Sequence, residues 1–486
     1  MRFALANVTS ALEAAGLLAA VRGNLPEFVD GISDDSRAVR PNSLFIAVKG
    51  AALDGHDYLG RAEQQGASAA MVEDPSRTSL PAIVVREGRK AAAIAASTAF
   101  GNPARELRII GITGTNGKST TAGILRHLLD DPNARSASLG TLGVLLGTAG
   151  EVVPGGNDLT TPGPVELQRI LRELVNRGAR WVAMEVSSHS LDQRRIDGLE
   201  FDAAVFTNLT RDHLDYHKTM EAYFKAKSAL MDYVKPDGYA AVNADDEAWQ
   251  NLPRVRRRIF FGLSSSAEMR ATGAKFSPAG SEWTVHYRDE SFPVCLPLIG
   301  DVNVHNALGA LAVSVTLGVP LGALVSRLND LPQVPGRLEV VSQSPAVLRD
   351  YAHTPNALER ALAAVRPFVR GRLILVFGCG GDRDSGKRPE MGRAADEGAD
   401  FVIVTSDNPR TEDPERILDD IEGGMAPGGH ERIEDRRAAI ARALDEAHEG
   451  DVVLLAGKGH EMYQIRGTTK EPFDEKEIVR ELLTAN

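Results

Sequence analysis

The chain has 486 residues, 43% hydrophobic and 25% charged, the make-up of an ordinary water-soluble protein with length for about two to four domains, each with its own core. A formal net charge of -11, with no basic run beyond Arg254-Val255-Arg256-Arg257-Arg258, argues against nucleic acid or a membrane surface as a general partner, so an anionic ligand would have to be held by local cations. Cys295 and Cys379 stand far apart, which argues against a disulfide scaffold and predicts a reducing cytoplasm. No apolar stretch approaches the roughly 20 residues of a membrane span, and Glu13 interrupts the apolar part of Met1 to Ala20 that a signal peptide would need.

Residues 1–104 read as a small α/β unit. Asp34-Asp35-Ser36-Arg37 has the pattern of a solvated turn. A strand at Ser43 to Val48 follows, then the turn-rich Gly50-Ala51-Ala52-Leu53-Asp54-Gly55-His56-Asp57, a helix at Gly60 to Gln65, strands at Ala69 to Glu73 and Ala82 to Val85, and an alanine-rich helix ending near Phe100. Gly101-Asn102-Pro103 is the expected linker.

The second unit, 105–335, opens with a short buried strand at Arg108-Ile109-Ile110, the stretch Gly111-Ile112-Thr113-Gly114-Thr115-Asn116-Gly117-Lys118-Ser119-Thr120, and a helix from Thr121 to Leu129 with apolar positions at Ile124, Leu125, Leu128 and Leu129. Strand, glycine loop and helix together make an anion cradle: backbone N–H groups turn inward, the helix N-terminus adds its dipole, Lys118 places a charge on terminal phosphates, and the Ser119 hydroxyl is suited to Mg²⁺. That predicts a nucleoside triphosphate site, in a variant form, since Ile112 stands where the usual spacing has a glycine. Asp158-Leu159-Thr160-Thr161-Pro162 is a polar turn ahead of a helix from Val165 to Arg177. Two strands end abruptly in polar groups: Trp181 to Met184 in Glu185-Val186-Ser187-Ser188-His189, and Phe201 to Phe206 in Thr207-Asn208-Leu209-Thr210-Arg211-Asp212-His213-Leu214-Asp215. Ligands of parallel α/β sheets gather beyond such strand ends, so Glu185 is a candidate Mg²⁺ ligand, and His213 is a second ligand or a structural histidine. On the helix from Met220 to Tyr233, Lys225 and Lys227 have the pattern of solvated residues. Asn303, His305 and Asn306 open an alanine-rich helix within Leu296 to Val315, and Pro335-Gly336-Arg337 reads as a hinge.

The third unit, 336–486, alternates strands and helices in a doubly wound, Rossmann-like α/β layout: Ala346 to Asp350, Leu358 to Val365, Arg372 to Phe377, Phe401 to Thr405, Arg436 to Ala447 and Val452 to Leu455. Polar loops at Asp350 to Pro355, Gly378 to Asp384, Asp407 to Arg410 and Gly457 to Glu461 are expected on one edge. Gly378 to Gly381 lacks the Gly-x-Gly-x-x-Gly spacing of a dinucleotide site.

Taken in order, Gly114 to Ser119, Glu185 to His189, Asn208 to Asp215, Tyr223-Phe224-Lys225-Ala226-Lys227, Pro335-Gly336-Arg337 and Asp350 to Pro355 resemble the motifs of the Mur ligases over nearly the whole chain. Gly378 to Asp384 and Asp407-Asn408-Pro409-Arg410 bring it nearest to the members that add diaminopimelate in peptidoglycan synthesis. The resemblance implies three domains, for the uridine nucleotide, for ATP on a parallel-sheet P-loop fold, and for the incoming amino acid. It implies an ATP-dependent acid–amino-acid ligase that joins meso-2,6-diaminopimelate to UDP-N-acetylmuramoyl-L-alanyl-D-glutamate through an acyl phosphate, releasing ADP and phosphate. A cytoplasmic monomer with small-molecule substrates, no nucleic acid and no membrane span is expected.

By the same resemblance the catalytic set is Lys118, Glu185, His213 and Lys227, the last carbamylated by CO₂ to N6-carboxylysine. Two Mg²⁺ ions are implied, one at Ser119 and Glu185, the other at His213 and the Lys227 carbamate. Gly114, Thr115, Asn116, Gly117, Lys118, Ser119, Thr120, Asn303, Asn306, Arg337 and Asp350 would line ATP. Ser36, Thr160, Thr161, Ser187, Gln193 and Arg195 would hold the nucleotide dipeptide, and Arg383, Asp407, Asn408, Pro409, Arg410, Gly457 and Glu461 the amino acid. One position departs from the family pattern, Leu159, where an asparagine often precedes the paired threonines. A lysine-adding relative or a folate-type polyglutamate ligase would share the central domain but is expected to lack Arg410, whereas a non-catalytic nucleotide-binding regulator is expected to lose Glu185, Lys227 or His213.

Overall fold

The computed structural model describes residues 1–50, 53–156, 159–253, 257–277 and 279–485. Ala51 and Ala52 of the first glycine-rich turn, Asp158 of the polar turn, and Arg254 to Arg256 of the basic run lie outside them.

The N-terminal unit is a five-stranded sheet in the order Leu18–Arg22, Ala82–Val85, Ala67–Val72, Ser43–Ile46, Gly31–Ser33, parallel apart from its first strand. Helices Leu5–Ala14 and Gly88–Ala99 cover one face. The first of these takes up the region tested above for a signal peptide: Leu5, Val8 and Leu12 recur at helical spacing and are buried, while Glu13 points outward.

The central unit is built on an eleven-stranded sheet, so the expectation of a parallel sheet needs correction at its edges. Seven strands, Arg135–Gly140, Ala179–Glu185, Arg108–Thr113, Phe201–Phe206, Val234–Asn243, Arg258–Gly262 and Met269–Ser277, pair in parallel in that order. The antiparallel strands Gly143–Leu146 and Glu151–Val153 extend one side, and Gly280–Tyr287 and Glu290–Leu296 the other. The Arg108–Thr113 strand is interior and buried on both faces, which is why it reads as a continuous apolar run. Helix Lys118–Leu129, longer than expected by three residues, lies against helix Asp301–Thr316 with Ile124, Leu125 and Leu128 fully buried. The expected Met220 to Tyr233 helix is α-helical to Ser228 and tightens to a 3₁₀ turn at Ala229–Tyr233.

The C-terminal sheet runs Glu339–Gln343, Ala346–Asp350, Val452–Ala456, Leu373–Phe377, Phe401–Val404, His430–Arg432, antiparallel only in its first hairpin. Parallel direction puts the loops after Asp350, Phe377, Val404 and Ala456 on one edge, and the first of them lines a cavity with the glycine loop of the central unit. Beneath that edge the last helix, Glu475–Ala485, is pinned by a fully buried ion pair: Arg436 donates to Glu475 Oε1 at 2.8 Å and to the carbonyl of Ala456, the residue before the Gly457 loop, at 2.9 Å. Removing one partner strands the other charge without water. Glu475→Ala should therefore cost about 3–5 kcal/mol, and the paired Arg436→Met/Glu475→Leu replacement should recover most of it. Urea unfolding of the three variants is the measurement; a Glu475→Ala chain of native stability contradicts this account.

Candidate active site

The glycine loop is shaped by what it is pressed against. Gly114 has φ 147°, and an added Cβ would overlap the Thr207 hydroxyl, so no other residue fits this approach. Thr115 N–H donates to Asn208 O at 2.7 Å, Asn116 N–H donates to Asn208 Oδ1 at 2.9 Å, and Asn116 O accepts from Thr207 Oγ1 at 2.7 Å and Asn208 Nδ2 at 3.1 Å. The polar end of one strand thus holds the loop at the end of its neighbour. Beside Gly117 and Thr121 lies Asn306, whose amide donates to Asn303 Oδ1 at 3.1 Å, and Asn303 is held in turn by Ile299 O at 2.8 Å.

Two amines converge on one oxygen. Lys118 Nζ donates to Gly114 O at 2.9 Å and Thr115 O at 2.7 Å, and Lys227 Nζ donates to the same Gly114 O at 2.7 Å. Lys227 is 1% exposed with its Nζ 4.7 Å from the centre of the Tyr223 ring, whereas Lys225, on the opposite side of the helix, is exposed; the solvated reading holds for Lys225 and fails for Lys227. Burial, and then the charge of Lys118, hold the Lys227 amine well below its usual 10.5, and burial likewise lowers Lys118. His213, at φ 54°, faces this lysine across Tyr223, and its ring lies 4.8 Å from that of His189. Burial lowers the pKa of His213 and, with the charge of His213 beside it, brings that of His189 down to about 4.

Glu185 ends the neighbouring strand with its carboxylate 2% exposed, accepting from Thr141 N–H at 2.9 Å and Thr141 Oγ1 at 3.2 Å. Ser119 Oγ, on the first turn of the loop helix, accepts from Arg337 Nη2 at 3.2 Å. Arg337 stacks over Tyr351 at 4.9 Å, and Asp350, its carboxyl pushed up by burial against the pull of Arg337, accepts from Leu338 N–H at 2.7 Å. A cavity of about 610 Å³ joins these groups, from the glycine loop, Glu185, Asp212 and His213 to Asn303, Asn306, Arg337 and Asp350. Among the described residues no three His, Cys, Asp or Glu side chains cluster as a complete metal cage. One buried carboxylate and one hydroxyl at a phosphate loop are the donor set for Mg²⁺ that arrives with phosphates and keeps its waters, so these residues fit that ion.

Thr160, Thr161, Ser187, Gln193 and Arg195 form one network at this edge. Thr161 Oγ1 donates to Glu185 O at 2.9 Å and accepts from Ser187 N–H at 3.1 Å; Arg195 donates to Thr161 O at 2.9 Å and Gln193 Oε1 at 2.7 Å; Thr160 Oγ1 lies 3.2 Å from Thr141 Oγ1. Ser36 is in the N-terminal unit and 7% exposed, so its turn is not fully solvated as its pattern suggests; Asp35 and Arg37 beside it do form an exposed pair. Leu159 is exposed.

In the C-terminal unit, Asp407 to Arg410 pack onto Gly457 to Glu461. Asn408 Nδ2 donates to Glu461 Oε2 at 2.8 Å, and an added Cβ on Gly457 would crowd Asp407 Oδ2. Arg410, at φ 53°, donates its N–H to Ile465 O at 3.0 Å and its Nη1 to Gly381 O at 2.7 Å, and the nearby Glu412 pairs with Arg388. Arg383 is exposed and donates to Asp382 O at 3.0 Å. Three participants escaped sequence reasoning. Thr141 follows a strand end and could have been found as Glu185 was. Lys458 and His460 lie between Gly457 and Glu461, where a buried lysine has no sequence signature.

Residues 28–108 match the Mur ligase family, catalytic domain; residues 112–314 the Mur ligase middle domain; and residues 336–459 the Mur ligase glutamate ligase domain. Relatives named UDP-N-acetylmuramoyl-L-alanyl-D-glutamate–2,6-diaminopimelate ligase include one from Gloeobacter violaceus, 44% identical over 473 residues that make up 95% of each chain. Another, from Geobacillus thermodenitrificans, is 41% identical over 472 residues, 94% of this chain and 95% of its own. A solved structure bearing the same enzyme name superposes with a TM-score of 0.68 at 34% identity, covering 100% of this chain and 99% of the other. Mycobacterium tuberculosis folylpolyglutamate synthase, solved with ADP and AMPPCP, shares the fold at a TM-score of 0.64 and 18% identity, over 76% of this chain and 92% of its own.

The state of Lys227 makes a prediction that does not depend on a ligand. With its pKa lowered in the folded chain and normal in the unfolded one, folding releases a proton, so stability is reduced below pH 10.5 and is regained as pH climbs from the folded-state value towards 10.5. Lys227→Met keeps the volume and removes the titration, and Lys118 still bonds Gly114 O. In CO₂-free buffer the variant should be the more stable near neutral pH, with the gap closing as pH rises. Urea midpoints of both proteins across that range test it; a gap independent of pH contradicts the assignment.

Proposed function

Because the chain belongs to the Mur ligase family, we propose that it joins meso-2,6-diaminopimelate to UDP-N-acetylmuramoyl-L-alanyl-D-glutamate, with ATP converted to ADP and phosphate. The observation that carries this reading is near full-length similarity, 44% identity over 95% of both chains, to ligases of that name. It is supported by a cavity that runs from the glycine loop to Arg337 and the loop Asp350 to Thr354 of the C-terminal unit.

A carboxylate is a poor electrophile. In the proposed reaction an oxygen of the D-glutamate γ-carboxylate bonds to the γ-phosphorus of ATP as the bond to the β-γ bridging oxygen breaks, giving an acyl phosphate and ADP. A neutral amine of diaminopimelate then adds to the acyl carbon, its nitrogen gives up one proton, and the tetrahedral intermediate collapses to the amide as inorganic phosphate leaves with that proton. Asn208 takes up the N–H groups of Thr115 and Asn116, so the phosphates fall to the N–H groups at the start of the helix at Lys118, and Lys118 supplies a cation to them. Arg337, bonded to Ser119, brings a second cation from the C-terminal unit. Asn303 and Asn306 buttress the loop, and Asp350 anchors the backbone after Arg337. Ser119 and Glu185 would hold one Mg²⁺, and His213 with carbamylated Lys227 a second. When bound, the ions screen carboxylate from phosphate.

The carbamate rests on Lys227 being an amine whose charged form is disfavoured by burial. The uncharged amine adds CO₂ through its nitrogen and releases one N–H proton, which leaves an anion that pairs with Lys118. Lys227→Ala should then be almost inactive and partly restored by short carboxylates such as acetate, which fit the vacated anion position. An alanine variant of full activity returns Lys227 to a structural role.

Thr160, Thr161, Ser187, Gln193, Arg195 and Ser36 are proposed for the nucleotide dipeptide, and Arg383, Asp407, Asn408, Pro409, Arg410, Gly457 and Glu461 for the amino acid. Diaminopimelate exceeds lysine by a carboxylate at the far end of its side chain. A guanidinium meets that carboxylate with charge-assisted hydrogen bonds worth roughly 1.5–3 kcal/mol each, whereas lysine offers only an ammonium there. The native enzyme should prefer meso-diaminopimelate to L-lysine by at least about a hundredfold in kcat/KM, roughly 2.7 kcal/mol, and Arg410→Ala should lose most of that preference. ADP release with the dipeptide nucleotide and a panel of amino acids is the test. Equal use of both by the native enzyme, or an unchanged preference in the variant, defeats the assignment.

A further inference from the structure

Lys458 follows the strand Val452–Ala456 by two residues, and its side chain is fully buried. Its ammonium donates to Asn408 Oδ1 at 3.0 Å and to Glu461 Oε2 at 3.3 Å, with the centre of the Tyr463 ring 5.9 Å away. A buried ammonium has three protons to place and no water to take them, so these neighbours set its position closely.

The consequence falls on the partners. Asn408 Oδ1 also accepts from Ile465 N–H at 2.9 Å, so its amide cannot turn over, and Nδ2 is left facing Glu461 Oε2 at 2.8 Å. Lys458 and Asn408 therefore both grip the carboxylate by the same oxygen. Among the described residues no hydrogen bond reaches Glu461 Oε1, and 15% of that side chain is open to solvent. A carboxylate clamped at one oxygen and open at the other is the complement of an ammonium group. A diamino acid carries two amines: the one that is acylated must be neutral, while the other remains protonated and needs an anionic partner.

We propose that Lys458 is the positioning residue of the amino-acid pocket, locking Asn408 and Glu461 so that Glu461 Oε1 meets the ammonium of the diamino acid that is not acylated; this rests on the function proposed above. Lys458 touches no substrate and acts through Glu461.

The test uses the full-length enzyme and the ADP-release assay. Lys458→Met should raise KM for meso-diaminopimelate about tenfold or more and leave KM for ATP and for the dipeptide nucleotide within about twofold. In a Glu461→Gln background the same change should add less than about twofold, because the group it acts through is already gone. An unchanged KM for diaminopimelate with only a lower melting temperature overturns the proposal, and so does a full, additive effect in the Glu461→Gln background. Should Lys458→Met not fold, Lys458→Gln, which keeps a donor for Asn408 without the charge, carries the same expectation and the same refutation. A native enzyme that releases no ADP with diaminopimelate defeats the proposed function and this inference together. A native enzyme that uses it, beside a Lys458 variant of normal KM, defeats this inference alone.

Discussion

Two amines, Lys118 and Lys227, share the carbonyl of Gly114, and much of the site can be derived from that crowding. One carbonyl cannot neutralise two ammonium groups, and among the described residues neither lysine forms an ion pair with a carboxylate, Asp212 and Glu185 acting only through their field. The local remedy is to lose a proton, which burial favours, or to gain an anion. The glycine loop, with its N–H groups and helix start, is a place where an anion gains in turn. The site is therefore electrostatically incomplete by construction. Phosphate oxygens on one side and an acidic modification of Lys227 on the other are the two additions that would complete it.

The same incompleteness explains how the C-terminal unit is seated. Arg337 follows the hinge glycine, reaches Ser119 Oγ, and stacks on Tyr351, whose ring lies 5.2 Å from that of His460. An added Cβ on Gly336 would overlap the backbone of Gly459 and His460, so the hinge packs directly on the loop that carries Glu461. Burial brings the pKa of His460 down to about 4 while its ring takes up a contact with the backbone of Thr141, the residue that holds Glu185. Phosphate loop, hinge and amino-acid loop are thereby one contiguous set of contacts across two units.

Much of this was legible in the sequence where a residue's role follows from its place at a strand end. The glycine loop, Glu185, and the loops after Asp350, Phe377, Val404 and Ala456 all follow buried apolar strands, and a parallel sheet leaves them no other edge. The last parallel strand, Met269–Ser277, and the antiparallel Gly280–Tyr287 and Glu290–Leu296 were not legible, because strands near an edge with one solvated face carry charged and polar residues that break the apolar run. Lys227 is the instructive case. Its pattern beside Lys225 is that of a solvated pair, yet Tyr223 lies four residues earlier, on the same helical face, and Lys225 two residues off, on the opposite one. The spacing held the answer, but only the fold shows which face is covered. Lys458 had no such signal, since nothing local distinguishes a lysine buried among glycines from one on a surface loop.

Four of the nine non-glycine residues with positive φ among the described residues lie at these loops or the hinge. His213, Leu338, Asp382 and Arg410 are non-glycine residues in the left-handed region, each at a cost of about 1–3 kcal/mol that neighbours must offset. The offsets can be named. Leu338 N–H is held by Asp350 Oδ2, Asp382 N–H by Glu412, and Arg410 by bonds in both directions, its N–H to Ile465 O and its carbonyl from Gly467 N–H. Each of these bonds ties a strained residue to a different loop of the C-terminal edge or to its hinge. Arg410 is aimed by its conformation as much as by the proline before it, and a change that relaxed its backbone would move the guanidinium without altering its chemistry.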